Sequence, residues 1–251
     1  MRPLFHPNFE LDKIEAPTSQ EHAQDNLTRL AATTSRRSFF GRGLASAAGA
    51  AAIAAAAPSV ARAASPLPSI FPGGTGAYFA ELQYDEASHV NINAAAIRSL
   101  GGTVRPIPTF QGITNLSAGE LLNLSVLIAN TGVGAIFGAA PHIQNPAVYN
   151  VSASILFVEA YHAGFLNSTA NIPLVPNVLV YDVPLTIAQV TAAISPYIAS
   201  FNDPNNLFPA TYSTTTKSNA NDIAILNFAI IIDQLEATLY YNNVPRLFGV
   251  L

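Results

Sequence analysis

"ILFVEAYHAGFL", residues 155–166, is an almost unbroken apolar run that nevertheless carries Glu159 and His162. Side chains three residues apart share a helical face, so this carboxylate and imidazole point the same way. A second segment, "LQYDEASHVN" (82–91), repeats the spacing with Glu86 and His89. Residues 64–251 hold five glutamates and three histidines, for which random placement gives only about 0.08 Glu-x-x-His matches. Two matches are therefore a signal rather than an accident. Placed on helices that face each other, the pairs can serve a common ion.

The stretches around them are helical in pattern and are separated by proline and glycine. The first helix is expected over 77–100, stopped by Gly101-Gly102. "TVRPIPTFQGI" (103–113) follows as an extended, proline-bound connection. A second helix, 117–137, starts at Ser117, which stands three residues before Glu120 as in a capping box. Its Gly132 and Gly134 either weaken it or mark close packing. "GAAPHIQNPA" (138–147) is a loop, and a third helix covers 147–167. The proline-broken "NIPLVPNVLVYDVP" (171–184) reads as loop with a short strand-like piece, before a fourth helix at 185–200. After a long polar connection comes "DIAILNFAIIIDQLEATLYY" (222–241), capped by Asp222 and apolar almost all round, hence a central buried helix. Long helices without period-two strands imply an all-α bundle.

Composition narrows the chemistry. Half of the 251 residues are hydrophobic and 10% are charged, enough for a full core. Cysteine is absent, so disulfides, thiolate catalysis and cysteine-ligated metal are excluded, and any metal site must use oxygen and imidazole. Glycine-rich phosphate loops, Gly-x-Ser-x-Gly and His-Glu-x-x-His are also missing, which leaves nucleotide use, acyl hydrolysis and zincin-type proteolysis without support.

The N-terminal segment reads as an address. After a polar stretch (1–34), "SRRSFFGRGLASAAGAAAIAAAAPSVARA" (35–63) places Arg36-Arg37 before an alanine-rich run that ends in Ala61-Arg62-Ala63. This pattern looks like a twin-arginine export signal, with residues 1–63 removed and 64–251 forming the domain. A membrane anchor is the rival reading, but alanine contributes little transfer free energy, and Pro58 and Arg62 close the run early. Residues 64–251 carry four basic and ten acidic side chains, a net charge of −6, which argues against a nucleic-acid partner. The expectation is a periplasmic or secreted protein without a stable membrane anchor. A homo-oligomer is open, because the last helix could pack within one bundle or across two.

Two Glu-x-x-His motifs in a helical bundle match the general description of ferritin-like di-iron and di-manganese carboxylate proteins. The segments 82–91, "GAAPHIQNPAVYNVSASILFVEAYHAGFL" (138–166) and "ILNFAIIIDQLEATLYY" (225–241) resemble the ferritin-like family that includes desiccation-related and exported bacterial proteins. The resemblance covers most of 77–170 and 220–243, and "VEAYHAG" is its most specific part. It implies a ferritin-like four-helix bundle with an extra helix and irregular loops. It also implies a centre for one or two iron or manganese ions, used in stress-related metal binding or redox chemistry.

Two departures stand out. The segment that comes first in the family comes last here, as in a circular permutation; Glu236 then supplies that helix's carboxylate, with Asp233 one turn earlier. A full site needs another acid on the second helix. Counting back from the loop puts that position at 127–130, "LIAN", where Ala129 and Asn130 offer none; Glu120 is about 15 Å too far along. The metal set expected is therefore Glu86, His89, Glu159, His162 and Glu236. A network in which these groups satisfy one another without metal, in a non-enzymatic protective protein, is the alternative. Tyr84, Tyr161 and Tyr240 are placed near the centre, His142 in a loop, and Glu81 and Asp85 toward solvent.

Overall fold

The structure, a computed structural model, describes residues 74–176, 180–208 and 211–249. The expected export signal and its cleavage site lie outside the described residues, as do 177–179; the described remainder of 171–184 is loop without the strand-like piece expected there. Among the described residues four long helices build the bundle: α1 (Gly74–Ser99), α2 (Ala118–Ala139), α3 (Pro146–Thr169) and α5 (Asn219–Phe248). A short α4 (Ile187–Ile194) lies against α2. The described residues form the expected all-α four-helix bundle with an extra helix and irregular loops.

Each helix starts where its local chemistry directs. Ser117 accepts from the Glu120 backbone N–H, and the Glu120 carboxylate accepts from the Ser117 N–H at 2.8 Å, closing the capping box. Asn145 caps α3, with Pro146 in its first turn, where no amide hydrogen is needed. Gly249, at φ 64°, ends α5 in the left-handed conformation that glycine adopts without steric cost.

Two expectations change. The fourth helix ends at Ile194 rather than 200, because Ser195–Tyr197 tightens around Pro196 into a 3-10 turn. Residues Ile198–Ser200 (β2) then pair antiparallel with Thr109–Phe110 (β1). The last helix begins three residues before Asp222 and is capped by Ser218. Asp222 instead reaches sideways: its oxygens accept the backbone N–H groups of Gln144 and Asn145, both at 2.8 Å, pinning the α2–α3 turn to the start of α5.

Neighbouring helices run antiparallel. α1 packs along α5, α2 along α3, and α2 also faces α5, while α1 and α3 meet more sparsely. The 103–117 crossover follows α5. Asn227 accepts from the Arg105 N–H and donates to the Thr103 carbonyl, and Asn243 donates to the Ile113 carbonyl and accepts from the Leu116 N–H. These two buried amides satisfy backbone groups that an irregular segment against a core would otherwise leave unpaired. By length and composition α2, extended through His142, and α5 could each cross a membrane; in the bundle both are mostly buried core helices.

Close packing is the role of the α2 glycines. The Gly134 carbonyl accepts from the Leu185 N–H at 2.9 Å, and a Cβ on Gly138 would stand 2.1 Å from the Leu185 carbonyl oxygen. Gly138→Ala is expected to destabilise the protein by about 1–3 kcal/mol, since backbone must move. Gly119→Ala, with open space around it, is expected to leave the thermal midpoint unchanged or slightly raised.

Candidate metal centre

Glu86 and His89 project from α1 and Glu159 and His162 from α3, all four at most 6% exposed. The two Glu-x-x-His pairs meet in the bundle interior. Glu86 lies between the imidazoles: one oxygen is 3.2 Å from His89 Nδ1 and the other 3.0 Å from His162 Nδ1. His89 Nδ1 is also 3.0 Å from Glu159 Oε1. Ligand atoms of Glu86, His89 and Glu159 all lie within 4.8 Å of one another.

Proximity here is not the same as hydrogen bonding. Neither oxygen of Glu159 has a well-directed hydrogen bond, and neither has His162 Nδ1 or Glu236 Oε2. Buried polar atoms in native structures are nearly always satisfied. Buried lone pairs left without a directed partner fit a cation, which accepts them at a common point. The Glu86, His89 and Glu159 group can hold a metal ion.

α5 adds two acids. Glu236 is 1% exposed and Asp233 is 4% exposed, and the field of Glu86 and Glu159 acts on both. Glu236 thus belongs to the interior around the centre, as its place in the sequence suggested.

The expected depth of the α2 gap shifts by a few residues. A Cβ on Gly132 would be 3.5 Å from Glu159 Oε2, so Gly132 faces Glu159 from α2. Helical side chains lean toward the N-terminus of their own helix, which carries the Glu159 carboxylate toward the α2–α3 turn. Equal counting from that turn omits this lean. Asn130 faces elsewhere and exchanges paired amide hydrogen bonds with Asn167 of α3, at 2.8 and 3.1 Å.

Asp85 is a site residue that helical spacing concealed. It lies one residue from the Glu86 face, yet its Oδ2 is 3.0 Å from His162 Nε2 with the side chain 26% exposed. A carboxylate on the outer nitrogen fixes the tautomer and aims Nδ1 inward. Tyr78 also acts on this residue: its hydroxyl donates to the His162 carbonyl at 3.1 Å. Of the three tyrosines expected near the centre, Tyr240 is fully buried, whereas Tyr84 and Tyr161 are 66% and 74% exposed on the outer faces of their helices. Glu81 is exposed as expected, and the half-buried His142 packs against the Tyr212 ring.

Electrostatics follow from burial. Desolvation opposes charge on every group, but the flanking carboxylates push His89 up to about 11 and His162 up to about 9. Burial alone would raise Glu86, yet the two imidazoles hold it below the ordinary carboxylate range. Glu159, Asp233 and Glu236 are raised, by burial first and then by neighbouring carboxylates.

Residues 29–171 match the Ferritin-like domain family, 143 of the 251 residues. The chain belongs to this family. Neither a curated protein nor a solved structure gives a match. The family match contains α1, α2 and α3, including both Glu-x-x-His pairs, and ends well before α5.

The pH dependence of the metal-free protein follows in sign. Both histidines bind protons more tightly when folded, so their stabilisation is complete below about 6.5 and is lost as pH rises through about 9 and about 11. The raised acids act in the same direction, being neutral in the fold where the unfolded chain ionises. Glu86, lowered, contributes above the ordinary range and loses this as pH falls through its folded value. The thermal midpoint is therefore expected to be highest in weak acid and to fall steadily from neutrality to pH 11, measured by circular dichroism in a chelator.

Proposed function

We propose that this is an exported ferritin-like protein whose buried centre binds iron or manganese through Glu86, His89, Glu159, His162 and Glu236. We assign it a stress-related role in metal binding or redox chemistry. The observation that carries this reading is the meeting of both Glu-x-x-His pairs in a buried space where Glu159 and His162 Nδ1 lack directed hydrogen bonds. Oxygen and imidazole donors suit these metals. Several buried acids against two imidazoles leave negative charge that a divalent cation would neutralise.

A bound ion would supply one-electron chemistry toward oxygen or peroxide. The chain's own residues do the rest. Glu86 spans the positions of the two imidazoles, Asp85 orients His162, Tyr78 holds the His162 backbone, and Ile232 beside Gly132 helps to wall the centre from water.

The bundle order supports a circular permutation within the desiccation-related branch of the family. α5 lies beyond the matched residues, yet it packs along α1 as a fourth long helix, the place that the resemblance gives to the family's first helix. Export rests on the leader's own pattern, Arg36-Arg37 before the alanine run. N-terminal sequencing of protein recovered outside the cytoplasm is expected to begin at Ala64; an intact leader on cytoplasmic protein rejects this part. No nucleic-acid partner and no stable membrane anchor are proposed, and a homo-oligomer is compatible with the reading.

A second reading is favoured by one observation: Gly132 faces Glu159 where a full carboxylate set would place an acid. On that reading the protein is non-enzymatic and protective, with a degenerate centre. Elemental analysis of the purified protein separates the two. Near-stoichiometric iron or manganese, lost in a Glu159→Ala/His162→Ala variant, is expected. No metal in either protein, with unchanged thermal stability after metal is supplied, selects the structural reading.

A further inference from the structure

Arg105 of the crossover and the loop that follows β2 line a cavity of about 520 Å³, in which no residue of the metal centre takes part. A space of that size suits a small organic molecule. Directed bonds fix its walls. The Arg105 backbone N–H donates to Asn227 Oδ1 of α5 at 2.7 Å, and Asn202 Nδ2 donates to the Ile107 carbonyl at 2.8 Å. Asp203 Oδ1 and Oδ2 accept the Leu207 and Phe208 N–H groups at 3.0 and 2.9 Å. Asn202 and Asn206, at φ 53° and 51°, hold the left-handed conformation that asparagine tolerates.

Arg105 gives the cavity its chemistry. The residue is 4% exposed, and its guanidinium carbon lies 5.4 Å from the Phe201 ring centre and 5.2 Å from that of Phe208. The ring faces attract the cation without taking the place of a planar acceptor, the partner that the guanidinium fork matches best. Burial disfavours its charge more than the field of Asp203 favours it. A further negative group brought to the guanidinium would offset that imbalance.

Asp203 limits what that group can be. Its two oxygens are used within the loop, yet its charge stands in the same lining and opposes a dianion. Phe201, Pro204 and Phe208 add an apolar wall, and Phe201 is 40% exposed, within reach of a ligand entering from solvent. One cation beside apolar rings, with one fixed acid nearby, is complementary to a single negative charge on an apolar body.

We propose that this cavity binds a small organic monocarboxylate with an apolar or aromatic body, its carboxylate on the Arg105 guanidinium and its body against Phe201, Pro204 and Phe208. Binding here needs no metal at the bundle centre.

Phenylacetate is the probe, followed by magnetic saturation transfer from the purified full chain to its ring protons. Saturable transfer is expected, with much weaker binding of benzyl alcohol, its uncharged analogue, and no displacement by inorganic phosphate. Arg105→Gln removes the charge and is expected to weaken binding by at least about tenfold. Phe201→Ala, at a partly exposed position, is expected to weaken it several-fold with the helical circular dichroism retained; it carries the test should Arg105→Gln not fold. No saturable transfer, or unchanged affinity in either folded variant, overturns the site. Benzyl alcohol bound as tightly as phenylacetate overturns the role of the carboxylate, and displacement of phenylacetate by inorganic phosphate overturns the restriction to a single charge.

Discussion

Glu86, placed between two imidazoles in the interior of the bundle, is the interaction on which the rest of the structure depends. Four acids, Glu86, Glu159, Asp233 and Glu236, are buried together with His89 and His162. Carboxylates out of water are unfavourable by several kcal/mol each unless they are paired, protonated or bound to a cation. The imidazoles recover part of this, and the charge they leave over gives the site its chemical character. The same dry surroundings that make the acids expensive also strengthen any ion they hold.

A centre of this kind needs helices that do not slide. The polar residues of α5 away from the centre serve that end. Asp222 ties the α2–α3 turn, while Asn227 and Asn243 fasten the crossover at two levels. On α2 the glycines have separate tasks: Gly134 and Gly138 let the segment at Leu185 approach the backbone, and Gly132 opens toward Glu159. Removing side chains there gives up core contacts in exchange for close approach, which ties α4 and the irregular 171–186 segment to the bundle. The charged interior is thereby surrounded by elements whose backbone positions are fixed by directed hydrogen bonds.

The asymmetry of the four helices has a chemical consequence. α1 and α3 each carry an imidazole and a carboxylate, with Glu86 between the two imidazoles and Glu159 beside His89, and Asp85 ties the outer nitrogen of His162 to the edge of solvent. α5 supplies acids with no imidazole of its own, and these are the groups that burial and neighbouring charge raise furthest.

The sequence by itself determined the helices and the pairing of functional residues. Helical periodicity, the Ser117 capping box and the Glu-x-x-His spacing are local, and local geometry decides which side chains share a face. It put Glu86 and His89 on one helical face and Glu159 and His162 on another, faces that meet in the interior, and the apolar character of the last helix carried Glu236 into the interior with it. Tertiary structure decided what local spacing cannot express. Asp85 and Asp222 act across helices through single side-chain reaches, and Tyr84 and Tyr161 lie exposed on the outer faces of their helices. Gly132 also faces Glu159, a few residues beyond 127–130, because the lean of side chains along their helix shifts the facing register, and that shift exists only once two helices are packed together.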